Sequence, residues 1–199
     1  MGSLFGKIVA QPRIYDAVQR VLGLEVTRRR LIPLLALASG GRVLDVGGGT
    51  GLFRPVVPAS ARYFVLDIDP LKLHGFATAY PKDQGILCDA THLSLRDKSI
   101  DVVMCVAVAH HLTDPQLAAM VDELARVVKR GLIFLDPLDR PRSLVSYLLW
   151  RYDRGAYPRS EEGLRAALEA RFTCEHAERY VIYHEYLLWL GRPTDEWRE

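Results

Sequence analysis

The chain reads as an α/β protein: seven short strands, mostly parallel, in one sheet with helices on both faces and an antiparallel hairpin at its C-terminal edge. Three observations predict this. From residue 42 to residue 135, short apolar runs alternate with amphipathic stretches, the pattern of parallel strands joined by helices. The stretch "VLDVGGGTGL" (43–52) runs a buried strand directly into a glycine-rich turn. Near the C-terminus two strand-like runs lie one after the other across a short gap, which suits a hairpin.

The elements are taken in chain order. Pro12 to Gly23 predicts a helix, with proline in its first turn, glycine at its end, and Ile14, Tyr15, Val18, Val21 and Leu22 on one face. Glu25 to Ala38 predicts a second helix, interrupted or restarted at Pro33. Arg42–Val46 is a buried strand. Between Gly51 and Val57, Pro55 and Pro58 allow a brief helix at most. Tyr63–Asp67 is a strand, Pro70–Tyr80 a helix, Gly85–Cys88 a strand, and Asp101–Val108 a strand rich in β-branched residues. Asp114 is expected to cap a helix starting at Pro115, with Leu117, Met120, Val121, Leu124 and Val128 as its apolar stripe. Lys129 and Arg130 suit its last turn and Gly131 its end. Leu132–Leu135 is the next strand. Ser143–Tyr152 and Glu161–Ala170 predict helices, and Thr173–Ile182 with Glu185–Leu190 the hairpin.

Length and composition set bounds. With 199 residues, 49% of them apolar and 25% charged, the chain is expected to be a single domain with a real core. Its expected parts are N-terminal helices (1–39), a ligand-binding core (40–137), an acceptor-site segment (138–160) and a C-terminal helix and hairpin (161–199). A net charge of +2 gives no reason to expect a nucleic-acid partner. Cys88, Cys105 and Cys174 are odd in number and widely spaced, so neither a disulfide framework nor a metal site is expected. A reducing cytoplasm is the expected location. The longest clean apolar run, Val102 to Ala109, is too short for a membrane span. The N-terminus lacks a signal-peptide core, and Gly6 stands where a myristoylation pattern wants Ser or Thr.

Glycine costs backbone entropy, so the cluster at 47–51 needs a compensating use, and close approach of backbone to a ligand is the usual one. A turn after the first strand lies at the carboxyl ends of the strands, where open α/β sheets bind ligands. The phosphate-loop ending Gly-Lys-Ser/Thr is absent. The dinucleotide pattern G-x-G-x-x-G fails at Leu52 when started from Gly47, and at Thr50 when started from Gly48. The spacing present instead is Asp45-x-Gly47-x-Gly49-x-Gly51.

That spacing resembles the first motif of the class I S-adenosylmethionine (SAM)-dependent methyltransferases, most closely the type 11-like group acting on small molecules. "VLDIDP" (65–70), "CDATHLSLRDKSIDVV" (88–103), "AVAHHLTDP" (107–115) and "ELARVVKRGLIFLDP" (123–137) resemble the family's later segments, in order and at family spacing. The resemblance implies a Rossmann-like fold, SAM as cofactor and methyl transfer as activity. It implies that Gly47, Gly48, Gly49 and Gly51 pass close to the methionine end of the cofactor and that Asp45 accepts from its ammonium. Asp67, 22 residues after Asp45, would hold the ribose, with Asp69 a competitor for that role. Ile68 would face the adenine ring, and Asp89 and Ala90 would meet the adenine edge.

Methyl transfer is an in-line displacement that rests on alignment, with a base where the acceptor must lose a proton. His111 and His110, after the fourth strand, are the candidates; histidine titrates in the useful range. Asp136 is a weaker one. The segment 138–160 has arginines at 140, 142, 151, 154 and 159 and aromatics at 147, 150, 152 and 157. It would suit a hydrophobic acceptor carrying an acidic group, or be core with solvated arginines. Tyr15 and Gln19 would close the other side. "TRRRL" (27–31) is expected to be a solvated helix face. The Asp/Asn-Pro-Pro-Tyr/Phe signature of amino-group nucleic-acid methyltransferases is absent after the fourth strand, so a small organic acceptor, methylated at oxygen, carbon or nitrogen, is expected. A SAM-binding partner without activity, a nicotinamide-dependent oxidoreductase and an RNA methyltransferase remain as alternatives.

Overall fold

A computed structural model describes residues 23–139, 157–182 and 184–194. The expected helices at 12–23 and 143–152, with Tyr15 and Gln19, lie outside the described residues. Within them, α1 (Leu24–Leu35) precedes β1 (Arg42–Val46), β2 (Arg62–Asp67), α2 (Pro70–Ala79), β3 (Gln84–Leu87), β4 (Ile100–Val106), α3 (Asp114–Val127), β5 (Val128–Pro137), α4 (Glu161–Glu169), β6 (Phe172–Val181) and β7 (Glu185–Pro193). The seven strands form one sheet in the order β3-β2-β1-β4-β5-β7-β6. Strands β1 to β5 are parallel. β7 runs antiparallel to β5, and β6 antiparallel to β7. The Rossmann-like sheet with an antiparallel C-terminal hairpin is therefore as expected.

The sheet is coated on both faces. On one face, Leu117, Met120, Val121 and Leu124 of α3 and Leu164 and Leu168 of α4 pack on Leu44, Val103, Leu132, Phe134 and Trp189. On the other, Leu31 and Leu35 of α1 and Phe76 of α2 pack on Val43, Tyr63, Val65, Met104 and Ile133. Burial on both faces explains why the central strands read as continuous apolar runs. The chain leaves β1 toward β2 and β3, then crosses back to β4. The switch in strand order thus falls between β1 and β4, where a crevice opens at the carboxyl ends.

Three local expectations are corrected. Helix α1 runs unbroken through Pro33. Pro33 is exposed on that helix, on the solvent side, where losing one main-chain hydrogen bond costs least. Thr113, not Asp114, caps α3: Thr113 accepts from the Gln116 N–H, and the Gln116 side chain accepts from the Thr113 N–H. Helix α3 also stops at Val127. Val128, Lys129, Arg130 and Gly131 already belong to β5, since β-branched residues at 127 and 128 and pairing to β4 outweigh the helix-end signals. Gly131 serves packing, with the Gly191 carbonyl 3.4 Å from where a Cβ would sit.

Trp189 is fully buried in β7, edge-on to Phe172. Its ring folds over Gly191, where a Cβ would come within 2.1 Å of it. The indole N–H has no hydrogen-bond partner among the described residues, a cost of about 1–3 kcal/mol. Trp189→Phe removes that donor along with some packing. In urea denaturation it is expected to fall within about 1 kcal/mol of the parent, whereas Trp189→Ala loses about 3–5 kcal/mol. A loss from Trp189→Phe as large as that from Trp189→Ala would show that the N–H is satisfied.

Candidate active site

Each glycine of the turn has its own reason. Gly47, Gly49 and Gly51 have φ of +69°, +56° and +79°, a region costly for residues with a Cβ. At Gly47 a Cβ would lie 2.4 Å from Val108 Cγ2, and at Gly51 2.7 Å from the Phe76 ring. At Gly48 it would lie 2.6 Å from the Asp45 carboxyl carbon. The Gly47–Val108 approach joins the turn after β1 to the turn after β4, at the switch point. Arg28 of α1 holds the end of the glycine turn, donating through Nε (3.2 Å) and Nη2 to the Leu52 carbonyl.

Asp45 is fully buried. The Tyr63 hydroxyl donates to its Oδ2 at 2.5 Å, while Oδ1 is buried without a partner among the described residues. Burial pushes its carboxyl up to about 7; the Tyr63 hydrogen bond opposes this and the Asp67 charge adds to it. Asp67 ends β2 and is 5% exposed. It accepts from the Gly49 N–H on Oδ2 (3.0 Å) and from the Asp69 N–H on Oδ1 (2.8 Å), with Lys72 Nζ 4.0 Å away. Asp69 caps α2, its Oδ1 accepting from the Leu71 and Lys72 N–H groups. Ile68, between them, is 70% exposed. Asp89, after β3, accepts from the Thr91 N–H and hydroxyl on Oδ1, both at 2.8 Å. Those bonds hold it below the usual carboxylate range. Ala90 packs against the apolar layer under α3.

His110 and His111 lie on a single 3-10 turn, Ala109–His111, beyond β4. Their rings are 4.1 Å apart. The two differ sharply. His110 is 3% exposed, and its Nδ1 lies 2.8 Å from Asp136 Oδ1, at the end of β5. The other Asp136 oxygen accepts from the Ala109 N–H at 2.8 Å. A carboxylate on Nδ1 makes that nitrogen the donor; in a neutral imidazole so held, the lone pair is on Nε2. Asp136 is thus the partner of His110, a role that its position in the sequence does not announce.

Other residues of the site carry no motif. Tyr63 faces Asp45 because Asp45 pairs with Val65 in register; a tyrosine in a strand buried at that position is the available signal. The "TRRRL" arginines are not simply solvated: Arg28 clamps Leu52, and Arg30 lies over the Tyr180 ring at 4.3 Å. Arg159 binds main-chain carbonyls of the histidine turn.

Residues 44–135 match the family model described as a methyltransferase domain. The core of this chain is a class I SAM-dependent methyltransferase domain. An uncharacterized methyltransferase of Mycolicibacterium paratuberculosis is 31% identical over 151 residues, 74% of this chain and 52% of that protein. The chain therefore spans about half the length of the curated relatives it matches. Among solved structures, the magnesium protoporphyrin IX methyltransferase of Synechocystis with bound SAM has a TM-score of 0.68 and 21% identity, covering 87% of this chain and 81% of that one. The geranyl diphosphate C-methyltransferase of Streptomyces coelicolor has a TM-score of 0.69 and 11% identity, covering 85% and 80%. These two show the shared fold.

SAM is the cofactor of such a domain, and the residues present fit it. Asp45 Oδ1 is a buried acceptor that lacks a donor among the described residues, and an ammonium is one. Exposed Ile68 offers an apolar face. Both Asp67 oxygens are engaged by main-chain donors, but each carboxylate oxygen takes a second donor, so ribose hydroxyls are accommodated.

The raised Asp45 carboxyl has a consequence without any ligand. Its folded value, about 7, stands above the ordinary 3.8. Its contribution to stability is fully present below pH 4 and is lost as pH rises to 7, by at most about 1.4 kcal/mol per pH unit. Asp45→Asn is expected to flatten that decline in urea titrations between pH 4 and 7. Equal slopes in parent and variant would show that the buried carboxyl is ionised throughout.

Proposed function

We propose that the chain transfers a methyl group from SAM to a small organic acceptor, at oxygen, carbon or nitrogen, with His110 as the proton-accepting base. The observation that carries this reading is the buried His110–Asp136 pair at 2.8 Å, set beside the glycine turn through the Gly47–Val108 approach. Bound SAM supplies an electrophilic methyl on a sulfonium. Asp45, ionised by the attraction of the ammonium, holds the methionine end. Asp67 orients the ribose, Ile68 covers the adenine ring and Ala90 flanks it. Asp89, with Oδ1 committed to Thr91, turns Oδ2 to the adenine amino group. The neutral His110 Nε2 takes the proton that the acceptor loses, and Asp136 steadies the resulting imidazolium. His111, tilted against the His110 ring, borders the acceptor.

A small acceptor is supported by the magnesium protoporphyrin IX and geranyl diphosphate acted on by the two structural neighbours, and by the arginines and aromatics in 138–160. Among the described residues no helix is long and apolar enough to cross a membrane. No His/Cys/Asp/Glu group among them could hold a metal ion.

Calorimetric titration with SAM, its demethylated product and NADH tests the cofactor half. Binding of the first two and not of NADH is expected, with Asp67→Ala at least about tenfold weaker, as the loss of a charge-assisted hydrogen bond implies. His110→Gln is expected to bind SAM as the parent does, yet to lose transfer to any acceptor found with methyl-labelled SAM. No SAM binding to folded protein would overturn the proposal. Binding with no transfer across a broad acceptor screen would favour a SAM-binding regulatory partner.

A further inference from the structure

The histidine turn is bent. Ala107, just before it, has φ of +57° although it is not glycine, a conformation that persists only where surroundings enforce it. On one side the Ala107 N–H donates to the Leu135 carbonyl at 2.7 Å. On the other stands Arg159, whose side chain is 10% exposed. Its Nη1 donates to the Ala109 carbonyl and its Nη2 to the Leu112 carbonyl, both at 2.7 Å. These carbonyls bracket His110 and His111. Nε and Nη2 also reach Asp114 Oδ1 at 2.9 and 2.7 Å, and Nη1 the Tyr157 carbonyl at 3.2 Å. The main chain adds two ties: the Tyr157 N–H donates to the His110 carbonyl, and the Asp139 N–H to the Arg159 carbonyl, both at 3.0 Å.

We propose that Arg159 is a positioning residue for methyl transfer: its fork spans the two carbonyls that flank the histidines and thereby sets the His110 ring against Asp136. The inference rests on the reading of His110 as base. A planar guanidinium reaches two separated carbonyls at once, which a lysine ammonium does not. The ion pair with Asp114 is the dispensable part, since the Asp114 side chain is 90% exposed and such pairs contribute little. Arg159 also ends the segment 138–160, so the same residue fastens that segment to the turn bearing the base.

The test reads the histidine itself. In 15N-histidine-labelled protein, the His110 tautomer and titration midpoint are measured by NMR for the parent, Arg159→Ala, Arg159→Lys and Asp114→Ala, with His110→Gln for assignment. Among the described residues, the titratable and charged groups near His110 include Asp136 from β5, His111 beside it and Arg159 across the turn. Arg159→Ala is expected to lose the single Nδ1–H tautomer and to shift the midpoint by about half a pH unit or more. Arg159→Lys should behave the same way, and Asp114→Ala like the parent. SAM affinity, measured in parallel by calorimetry, should stay within about twofold in all, as the changes lie outside the cofactor contacts. Parent-like His110 signals in Arg159→Ala, or in Arg159→Lys should the alanine variant not fold, would overturn the proposal. Failure of the parent to bind SAM would overturn the functional reading and with it the tie to methyl transfer, while the imidazole signals would still decide whether Arg159 sets the His110 ring against Asp136.

Discussion

The site depends on one hydrogen bond that costs the chain a great deal to arrange. Gly49 N–H donates to Asp67 Oδ2 at 3.0 Å, in a place where Asp67 is 5% exposed. To bring that N–H to the end of β2, the backbone passes through the left-handed region at Gly47, Gly49 and Gly51. Neighbours fill the space that side chains would need, with Val108, Asp45 and Phe76 pressed against Gly47, Gly48 and Gly51. Every later feature uses that path. It puts the Asp45 carboxyl under the turn, leaves Ile68 uncovered beside it, and sets the turn after β4 against the turn after β1.

Local and periodic features are legible in the sequence; features that depend on one element meeting another are not. The strands β1 to β5 show because parallel strands buried on both faces read as apolar runs, and the three aspartates show because each lies at a strand end at a fixed distance. The end of α3 misleads because Lys129, Arg130 and Gly131 make a persuasive helix stop, while the pairing of Val128 with Ile100 is invisible in one dimension. The division between His110 and His111 is hidden for the same reason. Only the fold brings Asp136, at the end of β5, to one imidazole and not the other. Tyr63 can be seen as a residue but not as the donor to Asp45, since that needs the β1–β2 register.

Arginine does a common job in the loops at both ends of this sheet. Arg28 binds the Leu52 carbonyl after the glycine turn. Arg126 of α3 binds the Leu93 and Leu95 carbonyls in the β3–β4 connection, braced by Glu123 and Asp97. Arg159 binds the Ala109 and Leu112 carbonyls after β4. Loops at strand ends carry main-chain carbonyls that no ladder satisfies, and a fork of donors meets two of them while remaining charged and partly wetted. Two of these loops, after the glycine turn and after β4, lie at the carboxyl ends of the strands, and the third leads into the start of β4.

The three pins differ in what they connect. Arg28 and Arg126 come from helices packed on the sheet, one at each end of it, so the loops they hold inherit the rigidity of the core. Arg159 lies near the end of the segment 138–160 and reaches the loop after β4 that carries His110 and His111. On the reading of His110 as base, one guanidinium joins the imidazole turn to the chain entering α4, apart from the main-chain donors that hold Asp67 and Asp89. The bent turn at Ala107, with φ of +57°, lies between the end of β4 and this fork.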